Sequence, residues 1–87
     1  MNYMDLYNAC ESRANKGLEE LKEYLNGIKD LLYTIIEEDN IISVEVEYFI
    51  DNDCVLTDFL GCWEFDLKGK LIEYTIFVLS AAPLTLI

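Results

Sequence analysis

The sequence is short of several residue types, and each shortage argues against a class of function. It has 87 residues, with no His, one Pro, four Gly and six basic side chains against 17 acidic ones. Without His, the commonest general base, metal ligand and triad member is missing. A formal net charge of −11 opposes direct binding to nucleic acid or to an anionic membrane. We therefore expect no catalytic residues and no contact with either partner.

The sequence also lacks the features of an exported, membrane or metal-binding chain. No apolar run approaches the ~20 residues that span a bilayer, and no basic and apolar leader follows Met1. Three cysteines, an odd number without CxxC spacing, favour reduced thiols in a cytoplasmic protein. The acidic residues near position 51 lack the Gly and the closing Glu of a calcium loop. We expect no cofactor and no metal.

The acidic residues are concentrated in the middle of the chain. Residues 30–67 contain eleven acidic side chains and no Lys or Arg, whereas the remaining six acidic and six basic side chains balance. Folded surfaces ordinarily mix the two signs, because like charges repel each other. The concentration is either a chance feature of a soluble acidic protein or a negative patch that faces a basic partner.

The first part of the chain has the spacing of amphipathic helices. Apolar residues follow one another at intervals of three or four from Leu18 to Ile35, which predicts a helix. An earlier segment from Tyr3 continues the pattern, and Asn15-Lys16-Gly17 between them is typical of a break or a cap. We expect one long helix kinked near Gly17, or two helices, over residues 3–38.

The second part of the chain has the alternation of β-strands. Turn residues at Asp51-Asn52-Asp53, Gly61 and Lys68-Gly69 separate the predicted strands. The longest predicted strand is the segment Lys70 to Leu79. The other predicted strands are residues 42–50, 54–60 and 62–67. Residues 1–87 are therefore predicted to form one α+β domain, with the helical part packed on a three- or four-stranded antiparallel meander over residues 42–79.

The apolar tail, residues 80–87, requires cover from water. It either folds back on its own core or makes a homodimer contact, by tail exchange or by pairing of an edge strand.

Carboxylates recur on one side of the predicted strands. Glu45 and Glu47 are two residues apart, about 6.8 Å along a strand, and the Glu64 and Asp66 pair repeats this spacing. On neighbouring strands these groups would form a rigid array that stands in for backbone phosphates and binds a Lys/Arg groove. An exposed aromatic would add an apolar contact. The candidate partner-binding residues are Glu37, Glu38, Asp39, Glu45, Glu47, Phe49, Asp51, Asp53, Asp58, Glu64 and Asp66.

The size, the acidity, the helix-plus-sheet organisation and the absence of catalytic residues resemble a class of small acidic proteins encoded by bacteriophages and mobile elements. These are anti-restriction proteins, anti-CRISPR proteins and uracil-glycosylase inhibitors, many of which mimic DNA. The resemblance implies a non-enzymatic inhibitor in the host bacterial cytosol, bound to the nucleic-acid site of a defence or DNA-processing protein. The alternatives are an immunity-type protein that neutralises a basic toxin, and a structural or oligomerisation module whose charge serves solubility.

Overall fold

The computed structural model describes residues 3–52 and 55–83, and it has two helices followed by four strands. The strands pair in chain order, each antiparallel to the next. The predicted α+β architecture is therefore confirmed, and of the two alternatives for the helical part, the pair of helices is correct. The elements are α1 (Tyr3–Ala14), α2 (Leu18–Asn26), β1 (Leu32–Glu38), β2 (Ile41–Asn52), β3 (Val55–Phe65) and β4 (Leu71–Pro83).

The two helices are separated at Gly17. This residue has φ of 132°, which a side chain would strain. The next amide, that of Leu18, donates a hydrogen bond to the carbonyl oxygen of Gly69 at 2.9 Å. The start of α2 is thereby attached to the turn between β3 and β4.

The predicted helical range of 3–38 is wrong beyond Asn26, because residues 32–38 form β1. Asp30, with φ of 60°, lies between α2 and this strand. The strand is rich in β-branched and aromatic residues, which favour extended backbone. It is joined to β2 by Asp39 and Asn40, whose φ angles of 52° and 65° are those of a type I′ hairpin turn.

Two further boundaries differ from the prediction. Gly61 does not end a strand, since β3 continues through it to Phe65. The predicted tail from residue 80 is partly strand, because β4 extends to Pro83; residues 84–87 lie outside the described part of the chain. With 13 residues, β4 is the longest strand, as expected.

The helices pack against one face of the sheet. The hydroxyl of Tyr7 on α1 lies 3.0 Å from the carbonyl oxygen of Val46 and 2.9 Å from that of Phe59, and it donates to this pair of acceptors. The Trp63 ring stacks on Tyr74 with centroids 5.0 Å apart and meets the Tyr7 ring edge-on at 5.8 Å. The buried apolar core consists of Leu6, Tyr7, Cys10, Ala14, Leu18, Leu21, Leu25, Val44, Val46, Trp63 and Phe65.

Candidate protein-binding face

The side of the sheet opposite the helices is called here the open face. Val44, Val46 and Trp63 are buried beneath the helices, and the residues between them point the other way because strand neighbours alternate. The strand register arranges these residues in cross-strand rows. The rows are Ile36–Ser43–Glu64–Glu73, Thr34–Glu45–Cys62–Thr75, Leu32–Glu47–Leu60–Phe77 and Phe49–Asp58.

Every row of the open face contains at least one carboxylate, and none contains a positive charge. Within the bounds of β1 to β4 there is no Lys or Arg. The basic residues are instead on the helices, in the connection between them, and in the connections before β1 and before β4. The acidic side chains of the open face are Glu38, which pairs with Ile41 next to the first row, Glu45, Glu47, Asp58, Glu64 and Glu73.

Like charges meet directly at one end of the open face. Glu64 and Glu73 are cross-strand partners, an arrangement that destabilises a sheet when both are ionised. Between them and Glu45 lies Cys62. The pKa of its thiol is raised by burial, and further by the negative charges of Glu45, Glu64 and Glu73. The charges of three carboxylates on the open face therefore all disfavour ionisation of this thiol.

A second pair of carboxyl groups meets farther along the open face. Glu47 on β2 and Asp58 on β3 are diagonal neighbours in adjacent rows of the open face. The pKa of Glu47 is raised by desolvation, by a side-chain hydrogen bond with Asp58 and by the charge of Asp58. Glu47 therefore loses its proton less readily than an isolated glutamate does.

Apolar side chains lie among these carboxylates. Leu32 is 59% exposed, Phe49 50% and Phe77 47%. A shallow groove of about 310 Å³ crosses the face from β1 to β4. Its lining includes three leucines and two carboxylates, which fits a side chain with an apolar stem and a cationic head. The groove is lined by Leu32, Tyr33, Thr34, Glu45, Glu47, Leu60 and Leu79.

The structure places several candidate residues on this face and others elsewhere. Glu45, Glu47, Phe49, Asp58 and Glu64 share the open face. Glu38, the last residue of β1, also belongs to the open face by the same alternation, whereas Glu37 points to the other side. Asp39 is in the β1–β2 turn, Asp51 is near the end of β2, and Asp53 lies outside the described residues.

The predicted pairing of Glu64 with Asp66 on one strand face is wrong. Asp66 follows the end of β3, and its Oδ1 accepts the amide protons of Lys68 and Lys70 at 2.9 Å each. It stabilises the turn rather than extending the array. The residue missed in its place is Glu73. Counting outward from the Lys68-Gly69 turn pairs position 64 with position 73, so the sequence contained the information needed.

The described part of the chain shows neither a metal-binding cluster nor a membrane-spanning helix. Among residues 3–52 and 55–83, no group of three or more Cys, Asp and Glu side chains could hold a metal ion. Neither of the described helices is long and apolar enough to cross a membrane. Comparison of the chain with protein-family models, with curated protein sequences and with solved structures gives no significant match.

Proposed function

We propose that this protein is a non-enzymatic inhibitor whose open face binds the basic nucleic-acid site of another protein, as a DNA mimic does. One observation carries the proposal: six carboxylates share a sheet face on which the strands place no basic residue. The proposed partner is a nuclease or another DNA-processing protein of a host bacterium, and the proposed place of action is its cytosol.

The crowding of the carboxylates supports this function energetically. When both are ionised, the Glu64–Glu73 pair raises the free energy of the isolated protein, because like charges repel at short range. The negative charge of Asp58 likewise disfavours ionisation of Glu47. A cationic partner removes this repulsion on binding and adds attraction of its own. The array is also held by paired strands, so little conformational freedom is lost when it binds.

The groove across the open face supports a partner rich in arginine or lysine. The methylene groups of such a side chain pack on Leu32, Leu60 and Leu79, which gives apolar burial that charge alone lacks. Its cationic head then reaches Glu45 and Glu47, and a guanidinium can bind a carboxylate through two hydrogen bonds. Basic side chains that line a DNA-binding groove have this chemistry.

The experiment compares two triple variants that lose the same number of negative charges. Glu45→Gln/Glu47→Gln/Glu64→Gln neutralises the open face. Glu19→Gln/Glu20→Gln/Glu23→Gln neutralises exposed positions on α2 and is the matched control. Each protein is immobilised and exposed to a bacterial host lysate at low salt and at about 0.5 M salt, where the Debye length is roughly 4 Å. Duplex DNA is then added as a competitor.

The wild type and the control should retain a nucleic-acid-binding protein at low salt, and salt or duplex DNA should release it. The open-face variant should bind that protein at least about tenfold more weakly, the equivalent of 1.4 kcal/mol. Equal retention by both variants would exclude the open face as the binding surface. A basic protein that DNA does not displace would instead favour the immunity-type function. If no other protein is retained, the interpretation as a structural module is favoured.

A further inference from the structure

Strand β4 is a long edge with no partner on its outer side among the described strands. It pairs with β3 alone. At about 3.4 Å per residue, its 13 residues present roughly 40 Å of edge. The outward amide and carbonyl groups of such an edge are a template for another strand.

This edge has two of the features that limit strand pairing in other proteins, since Ile72 and Leu79 are extra residues at register shifts against β3, but between these bulges Glu73 to Val78 is a regular run with little other protection. Between Leu71 and Pro83 the only charged residue is Glu73, and the only proline is the last residue. Edges are ordinarily protected by lysines, prolines, strong bulges or short length. The opposite edge of the sheet differs, since β1 has seven residues and ends in Glu37 and Glu38.

Exposed apolar side chains on β4 lie on both faces of the sheet. Phe77 and Leu79 belong to the open face, and Val78 between them points to the other side. Val78 is 61% exposed and Leu79 51%. A partner that docks on one face covers either Phe77 and Leu79 or Val78, but not both. A strand that lies alongside β4 contacts both, because its own side chains alternate in the same way.

We propose that β4 pairs antiparallel with β4 of a second copy of this chain, so that two sheets join into one of eight strands. A two-fold axis generates this antiparallel arrangement from identical strands. With the axis near the middle of β4, Glu73 of each copy faces the apolar second half of the other strand. The carboxylates of the two copies are thereby kept apart. The two open faces then lie side by side on the same surface of the joined sheet.

The first test is sedimentation velocity over about three decades of protein concentration. Wild type should form a dimer. Val78→Lys should raise the dissociation constant of the dimer at least about tenfold, since it places an ammonium group against the apposed strand. Leu67→Lys is the matched control, because Leu67 is similarly exposed, at 55%, and lies in the β3–β4 turn. The dissociation constant of the Leu67→Lys dimer should differ from that of the wild type by less than about twofold.

Salt separates this proposal from the proposed function. Two copies that each carry a net charge of −11 repel each other, so about 0.5 M salt should strengthen the dimer by screening. The same salt should release a basic partner from the open face. Either proposal can therefore fail while the other stands.

The second test locates the interface by amide hydrogen exchange measured by NMR. In the wild-type dimer, the outward amides of β4 should be protected as well as the inward ones. In Val78→Lys only the outward amides should lose protection, while the amides of β2 and β3 remain protected and show that the variant is folded. A wild type that is monomeric at every concentration would overturn the proposal. So would a dimer whose outward β4 amides exchange rapidly, or one that Val78→Lys leaves intact.

Discussion

Replacing Gly61 with alanine tests how tightly the centre of the core is packed. A Cβ atom on Gly61 would lie 2.6 Å from Cη2 and 2.9 Å from Cζ3 of Trp63, and 3.2 Å from Cε1 of Tyr7. Neither ring can move aside easily. Trp63 is fully buried and stacked on Tyr74, and the Tyr7 hydroxyl is hydrogen-bonded to the sheet.

The cost follows from two opposing effects. Overpacking of a rigid core costs about 1–3 kcal/mol. Alanine also lowers the conformational entropy of the unfolded chain, which stabilises the folded state by about 0.4–1 kcal/mol. We expect Gly61→Ala to lower the free energy of unfolding by about 1–2 kcal/mol. For a domain of this size, that corresponds to a fall in Tm of roughly 4–16 °C.

Urea and thermal unfolding of Gly61→Ala measure this loss, and Gly27→Ala is the control. A Cβ on Gly27 would be 3.5 Å from its nearest neighbour, the carbonyl oxygen of Tyr24, which is an ordinary contact. Its φ of −82° is accessible to alanine, so Gly27→Ala should be neutral or slightly stabilising. If the two variants unfold alike, the Trp63 ring does not pack on Gly61 as described.

Three other substitutions test the polar contacts of the sheet. Tyr7→Phe should lower the free energy of unfolding by about 1–2 kcal/mol, since two backbone acceptors lose their hydroxyl donor; an unchanged urea midpoint would contradict those hydrogen bonds. The pKa of Glu47 is raised in the folded state, so the native protein binds this proton more tightly than the unfolded chain does, and its contribution to stability should rise as pH falls toward the ordinary carboxyl range. Glu47→Gln should reduce this rise, and equal pH profiles would exclude the shift. Glu73→Gln removes the repulsion with Glu64 and should raise the free energy of unfolding by about 0.2–1 kcal/mol; in urea titrations, a loss of stability would show that the pair is not in contact.

The architecture could be predicted from the sequence where periodicity was unambiguous. The helical spacing of α1 and α2 and the alternation in β2 and β4 identified elements that the structure contains. The failure at β1 has a physical cause. Leu32 and Ile35 are three residues apart, a spacing that continues the helical pattern of α2 and also occurs in a strand exposed on both faces. Neither residue is buried, so no burial pattern distinguished the two structures.

The composition of the open face was only partly predictable, for a different reason. Glu45 and Glu47 follow from alternation within one strand, which is local. The roles of Asp66 and Glu73 depend on where β3 ends, and a one-residue change in that boundary moves a side chain from the array into a turn. Gly61 gave the opposite difficulty. It was interpreted as a strand break, because the sequence does not show that the nearby Trp63 ring and the distant Tyr7 ring fill the space beside it.

The Tyr7 contacts also set the order in which this protein can fold during synthesis. Tyr7 and its acceptor Phe59 are 52 residues apart. At about 5–20 residues per second, a ribosome takes roughly 3–10 s to make that stretch. Throughout this interval the apolar side of α1 has no sheet to cover it, and a 12-residue helix is marginal alone in water. The helices therefore become stable only after β2 and β3 have paired, although they are translated first.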